Sequence, residues 1–234
     1  MISKRGKMNA VVQGQITIPL EPLIEDVLIF LNQYLPLYPS SIIKAGEHII
    51  TEKLLNQQLT DFFNGHSPDH NGYLHYRFIF RKDDERADTH FRPDIGVTLW
   101  HKELKISDHN SFFQIECKRL PITNLSQQRS EKEYVIGTKT HKGGIERFKT
   151  KEHGHHLDQA AIIGYVQANS IDFWFNKINE WIEIEISNSK TLIWTKKDHL
   201  TLEYKKEELS KYNSTCGRTD GEDIILHHFL LKMA

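Results

Sequence analysis

The sequence predicts a single domain of the α/β or α+β class, with a central mixed sheet flanked by helices. Its 234 residues suit one large domain better than two small ones. Hydrophobic residues make up 38% of the chain and charged residues 26%, which supplies a core and shows no sign of disorder. Helical periodicity comes first along the chain, strand-like segments follow, a helical region comes next, and the end alternates as strands do. This order suits helices packed on a sheet.

Two helices are predicted before any strand. In the first, Leu20–Leu35, apolar residues recur at spacings of three and four, and Pro36 ends the helix. With its lead-in, this amphipathic helix forms a segment 1–40 that is followed by a main domain 41–234. The second helix is expected at about Ala45–Phe63, ended by Asn64-Gly65, with a turn through 39–41 between the two.

The remaining elements are predicted from periodicity and from aromatic and β-branched content. Three strands come next, a short helix follows, then a helix with a narrow face of small residues and an aromatic helix, and extended segments complete the chain. In order, these ranges are 73–80, 94–100, 112–118, 143–148, 155–168, 171–182, 182–186, 191–195, 200–204 and 223–231, the last being either a strand or a short helix.

Charge, cysteine count and hydropathy exclude several classes of protein. Lys and Arg total 30 against 31 Asp and Glu, which excludes a chain that coats nucleic acid by bulk charge. Two cysteines, Cys117 and Cys216, exclude a disulfide scaffold and suit a reducing cytoplasm. We expect no membrane association, since the longest apolar region, Leu20–Leu35, is too short and too polar to span a bilayer.

A small group of charged residues lies within the apolar strand segments. Glu116 and Lys118 are two positions apart in a predicted strand, so their side chains point to the same side. Asp94 opens the preceding strand, directly after Pro93. If the two strands form a hairpin, Asp94 lies beside Glu116.

The chemistry of this group favours a divalent cation. Two converging carboxylates repel each other unless a cation lies between them, and hard oxygen ligands select Mg²⁺ or Mn²⁺. A lysine at the same point can position a water molecule or neutralise charge on a phosphate. The alternative is an Asp cap and a Glu–Lys pair on a solvated sheet face. The apolar residues around the pair argue against this alternative, since they predict a strand covered on both faces.

Pro93-Asp94, a spacer of about twenty residues and Glu116-Cys117-Lys118 together resemble the PD-(D/E)xK nuclease superfamily, which includes many restriction endonucleases. The resemblance implies a restriction-endonuclease-like core in 41–234, ordered helix, three strands, helix, strand. It implies that Asp94, Glu116 and the backbone carbonyl of Cys117 bind Mg²⁺, for which Mn²⁺ can substitute, and that Lys118 assists the attacking water. A helix glutamate completes the site in many members, with Glu47 the first candidate here and Glu52 the second.

The function implied by the resemblance is endonucleolytic cleavage of DNA in bacterial restriction or anti-phage defence. Two alternatives remain open: a catalytically silent nuclease-like subunit that binds nucleic acid or a partner protein, and an RNase with the same site. Because one metal site cuts one strand at a time, we expect a homo-oligomer or a partner defence protein.

A basic stretch follows the proposed metal site. Between residues 117 and 151 there are nine Lys or Arg against three Glu. We expect this stretch to hold the phosphate backbone, the alternative being a solvated lysine-rich loop. The expected phosphate contacts are Arg119, Lys142, Arg147 and Lys149. The clustered histidines at 153–156 and 227–228 are expected on the surface, and His141 or His153, near the basic stretch, could touch DNA.

Overall fold

The structure, a computed structural model, describes residues 20–45, 51–69, 76–83, 92–101, 106–107, 110–122, 129–139, 141–188 and 192–233. The helices are α1 Leu20–Tyr34, α2 Tyr38–Ala45, α3 Glu52–His66, α4 Gly144–Lys149 and α5 Ile171–Asn188. The strands are β1 Tyr76–Lys82, β2 Ile95–His101, β3 Ile106–Ser107, β4 Phe113–Leu120, β5 Gln159–Val166, β6 Thr201–Lys205, β7 Leu209–Gly217 and β8 Asp223–Lys232. None of these helices is both long and apolar enough to cross a membrane.

One mixed sheet organises the chain and confirms the predicted α/β class. Its strand order is β1-β2-β4-β5-β8-β7-β6, with β3 paired to β2. Strand β2 is antiparallel to both of its neighbours, β1 and β4, whereas β4, β5 and β8 run parallel in the centre. The other edge is antiparallel again, through β7 and β6.

Helices cover both faces of the sheet, and each face has its own apolar core. Along β4, Ile115 and Cys117 face the core built with α1 and α3, and Leu120 faces the core built with α5. Glu116 and Lys118 share the side of Leu120, as the alternation of strand side chains requires. The buried side of α1, including Leu23 and Phe30, packs into the same core as the central strands.

The segment 155–168 is the largest error in the predicted elements, because it contains strand β5 and no helix. This strand is buried on both faces, so its sequence lacks the alternation that marks a half-buried strand. The small residues do permit close packing. A Cβ on Gly164 would come within 2.7 Å of Leu230 and 2.8 Å of Leu120.

Several other predicted elements and boundaries also differ from the structure. The chain from 182 to 188 continues α5 and is not a strand, and residues 192–195 form no strand. The turn expected at 39–41 lies inside α2. Helix α3 begins at Glu52 and continues past Asn64-Gly65 to His66. Strand β7 was not predicted, and the final apolar segment is a strand.

Candidate active site

The sheet register brings Asp94 level with Glu116. The β2–β4 ladder ends at the pair Ile95–Ile115, and Asp94 directly precedes β2. Beyond the end of the ladder, Oδ2 of Asp94 accepts a hydrogen bond of 2.8 Å from the backbone N–H of Cys117. The carboxylate of Asp94 thus takes the place that a backbone carbonyl would take in a longer ladder.

Glu116 is completely buried and is surrounded by cationic groups. Its Oε1 lies 2.7 Å from Nζ of Lys118 and accepts a hydrogen bond of 2.8 Å from Arg147. Its Oε2 lies 3.1 Å from Nδ1 of His153, although the two atoms are not aligned as a hydrogen bond. A buried carboxylate requires such compensation, since an isolated charge in the interior is very unfavourable.

The surroundings shift the pKa values of Asp94, Glu116 and Lys118 in different directions. Burial, together with the nearby Glu116 carboxylate, raises the pKa of Asp94 well above its ordinary value. Burial also opposes ionisation of Glu116, but Lys118 and His153 outweigh it and hold the pKa of Glu116 well below its ordinary value. The pKa of Lys118 is raised, because Glu116 and Glu52 outweigh the effect of burial.

Glu52, the second helix candidate, reaches this group from the first turn of α3. Its Oε1 lies 3.6 Å from Nζ of Lys118, and its Oε2 accepts a hydrogen bond of 3.1 Å from the backbone N–H of Arg119. Arg129 lies 3.4 Å from the same Oε2 and also pairs with Glu133. Glu47, the first candidate, lies outside the described residues.

The four expected phosphate contacts have different surroundings. Arg119 is buried, and its Nε donates a hydrogen bond of 2.7 Å to Gln167. Lys142 is partly exposed and pairs with Glu152. Arg147 is also partly exposed and contacts Glu116, as described above.

Lys149 is fully buried, so the expectation that it contacts phosphate is wrong. Its Nζ lies 2.5 Å from Oδ1 of the buried Asp198 and 4.7 Å from the centre of the Trp194 ring. The reason is helical geometry. Residues two positions apart in a helix point about 200° apart, so Arg147 and Lys149 cannot face the same side.

The expectation of surface histidines is also wrong for His153, His227 and His228, which are all buried. His228 lies between the hydroxyl groups of Tyr134 and Ser214, at 3.0 and 2.9 Å. No sequence motif indicates that His153 approaches Glu116.

The loop that carries His153 is fixed through Gly154. The N–H of Gly154 donates to the side chain of Gln114 at 2.7 Å, and its carbonyl accepts from Arg218 at 2.6 Å. Gly154 has a positive φ of 59°, a conformation that favours glycine. The loop thus holds His153 against Glu116.

The oxygen atoms at this point suit a hard divalent cation. Asp94 and Glu116 supply two carboxylates, and Oε2 of Glu116 receives no hydrogen bond from the described residues. In a strand, the N–H and C=O of one residue point to the same side, so the carbonyl of Cys117 points towards Asp94 as its N–H does. Carboxylate and carbonyl oxygens are ligands that Mg²⁺ and Mn²⁺ accept.

Within the described part of the chain, no group of three His, Cys, Asp or Glu side chains could hold a metal ion.

The chain matches no protein-family model, and neither a curated protein nor a solved structure matches it.

Proposed function

We propose that this protein is a Mg²⁺-dependent nuclease that hydrolyses phosphodiester bonds of DNA. The observation that carries the proposal is the position of Asp94 beside Glu116 and Lys118, on adjoining segments of one sheet. An acidic pair with a lysine at a divalent ion is suited to the hydrolysis of a phosphodiester.

The order of elements supports a restriction-endonuclease-like core. Helix α3 is followed by the antiparallel strands β1, β2 and β4, then by helix α4, and then by β5, which is parallel to β4. This is the order helix, three strands, helix, strand, with the two-residue β3 inserted. Asp94 directly precedes the second strand of this unit, and Glu116 and Lys118 lie on the third.

Each residue has a distinct part in the proposed mechanism. Asp94, Glu116 and the carbonyl of Cys117 would hold the ion, which supplies a Lewis acid for the phosphate and activates water. In the metal-free protein, the neighbouring carboxylates raise the pKa of the Lys118 ammonium group. Its Nζ would serve as a hydrogen-bond donor that orients the water and neutralises charge on the phosphate.

Cleavage assays test this proposal directly. Supercoiled and linear DNA, and RNA of the same sequence, are incubated with Mg²⁺ in the presence or absence of EDTA. We expect Mg²⁺-dependent cleavage of DNA by the wild type and by Lys177→Met, a control that removes a lysine paired with Glu180 on α5. Asp94→Asn and Lys118→Met should each reduce the rate by about 10²-fold or more. Full activity in EDTA, or in Asp94→Asn, would contradict the mechanism, and cleavage of RNA alone would identify an RNase.

A catalytically silent binding subunit is the second candidate, and the compensation of Glu116 favours it. Lys118 and Arg147 already compensate the charge of this carboxylate without a metal, and His153 lies 3.1 Å from its second oxygen. In this case the wild type should bind nucleic acid or a partner protein without cutting it, and Asp94→Asn should bind equally well.

Cleavage of both strands of a duplex requires two active sites, which bears on the assembly of the protein. Because the described residues of each chain form one such site, we propose that two copies, or one copy and a partner defence protein, act on the two strands of the duplex. Sedimentation of the protein alone and with a DNA duplex tests this point, and a monomer in both cases would contradict the two-copy form.

A further inference from the structure

The contact between Arg147 and Glu116 links the proposed metal site to the surface. Nη1 of Arg147 lies 2.8 Å from Oε1 of Glu116, the same oxygen atom that contacts Lys118. A divalent ion bound by Asp94 and Glu116 would therefore approach two cationic side chains. Since like charges repel, at least one of these contacts opposes metal binding.

Arg147 is the cation that can leave. Its side chain is 24% exposed, whereas that of Lys118 is only 3% exposed. Lys118 is also held between Glu116 and Glu52. The other described contact of the Arg147 side chain is a hydrogen bond of 3.1 Å from its Nε to the carbonyl of Lys142, which is a neutral group.

The backbone at Arg147 can stay in place while the side chain moves. Its N–H donates to the carbonyl of Gly143, which directly precedes α4, and its carbonyl accepts from the N–H of His153. The start of α4 is fixed by Glu146, whose Oε2 accepts hydrogen bonds of 3.0 Å from the N–H groups of Gly137 and Gly143. A change in side-chain rotamers alone would release the guanidinium group from Glu116.

We infer that Arg147 alternates between Glu116 and a backbone phosphate of the nucleic acid. It contacts Glu116 in the metal-free protein, and it transfers to the phosphate when a divalent ion takes its place at the carboxylate. This inference rests on the proposed function, and it makes Arg147 a residue that couples metal binding to substrate binding. By linkage, each ligand then strengthens binding of the other by the same factor. The guanidinium group suits this exchange, because it forms paired hydrogen bonds with carboxylate and phosphate alike.

Calcium binding without nucleic acid tests the first half of the exchange. Ca²⁺ affinity is measured by calorimetry on the wild type, on Arg147→Gln and on Lys142→Gln, a control that removes a nearby positive charge paired with Glu152. If Arg147 competes with the ion, Arg147→Gln should bind Ca²⁺ about tenfold more tightly than the wild type, equivalent to about 1.4 kcal/mol. Lys142→Gln should change the Ca²⁺ affinity less than about twofold, because Nζ of Lys142 contacts Glu152 and not Glu116.

Binding of a DNA duplex in Ca²⁺ tests the second half. Arg147→Gln should bind the duplex more weakly, and its dependence on salt should fall by about one phosphate contact. The factor by which Ca²⁺ strengthens DNA binding should also be smaller than in the wild type. If Arg147 had only a structural role, its replacement would weaken the binding of both Ca²⁺ and DNA. The exchange instead requires that Ca²⁺ binding becomes tighter and DNA binding becomes weaker.

The outcomes separate this inference from the proposed function. If the wild type binds Ca²⁺ but Arg147→Gln binds it equally or more weakly, the inference is overturned and the nuclease proposal stands. If the wild type binds no divalent ion, both are overturned. Should Arg147→Gln fail to fold by circular dichroism, Arg147→Lys decides: its weaker pairing with Glu116 should still raise Ca²⁺ affinity above that of the wild type, and an unchanged or lower affinity would overturn the inference.

Discussion

Asp94 and Glu116 are neighbouring carboxyl groups, the first half-buried and the second fully buried, and their surroundings shift the two pKa values in opposite directions. Asp94 has a raised pKa because burial and Glu116 disfavour its ionised form. Glu116 has a lowered pKa because its cationic partners outweigh burial. The ionised form of Asp94 therefore opposes folding, whereas that of Glu116 supports it.

Replacing Asp94 with Asn should stabilise the metal-free protein. The folded-state pKa of Asp94 lies above the unfolded value, so its contribution to stability is lost as the pH rises through the folded-state pKa. Asn removes this penalty at pH 8, and its side-chain oxygen can still accept from the N–H of Cys117. Thermal unfolding in EDTA should show a melting temperature a few degrees above that of the wild type. A lower melting temperature would mean that the carboxylate is not destabilising.

Glu116→Gln should have the opposite effect. It removes the nearest anionic partner of the buried Lys118, which keeps the more distant Glu52 and Glu133, and of the partly exposed Arg147. Breaking a buried pair in this way costs about 3–5 kcal/mol. Urea unfolding at pH 7 in EDTA measures the loss, with Lys177→Met as the control for an exposed pair, expected within about 1 kcal/mol of the wild type. Equal stability of Glu116→Gln and the wild type would contradict the charge compensation described for this site.

Part of the candidate site could be predicted from neighbouring residues, and part could not. The common side of Glu116 and Lys118 follows from the two-residue repeat of a strand, which is a local property. The approach of His153 to Glu116 depends on the loop held by Gln114 and Arg218, contacts that join distant parts of the chain. No local pattern encodes such contacts.

At the scale of elements, the same limit explains which helices and strands were predicted correctly. Helix α5 has polar and apolar residues at helical spacing, because one side is exposed, and its start at Ile171 was predicted. Strand β5 is buried between β4 and β8, so the sheet decides its conformation and its own periodicity does not. The short α4 was predicted, but the direction of its two basic side chains depends on what each side of the helix meets.

The two basic residues of α4 therefore have different roles: Arg147 is proposed to contact phosphate, and Lys149 forms a buried ion pair. The variant Lys149→Met tests this difference. Removing the buried partner of Asp198 should destabilise the protein by about 3–5 kcal/mol. DNA binding below the melting temperature should keep the salt dependence of the wild type, because Lys149 contacts no phosphate. Lys142→Gln, which changes a partly exposed lysine, should barely change stability. A reduced salt dependence in Lys149→Met would return Lys149 to the phosphate surface.

At the scale of the whole molecule, two apolar cores share the central strands, and polar groups are enclosed between the helices and the sheet. On β8, His227 hydrogen-bonds to Asn213 and Gln159, and His228 to Tyr134 and Ser214. These contacts bind β8 to β7, to β5 and to the segment before α4. Protonation of either imidazole ring would place a positive charge among these buried contacts.

The protein should consequently lose stability as the pH falls from about 6.5 towards 4. Burial lowers the pKa of His227 to about 4 and that of His228 to about 3. Between these values and the ordinary value of about 6.5, the unfolded chain binds more protons than the folded one, so the free energy of unfolding falls as the pH falls. Each histidine contributes a slope of up to about 1.4 kcal/mol per pH unit in this range. Urea unfolding of the wild type between pH 7 and 4.5 measures the combined slope, and His227→Gln and His228→Gln should each remove about one histidine's share. A slope that is unchanged in both variants would show that these two rings do not titrate on unfolding.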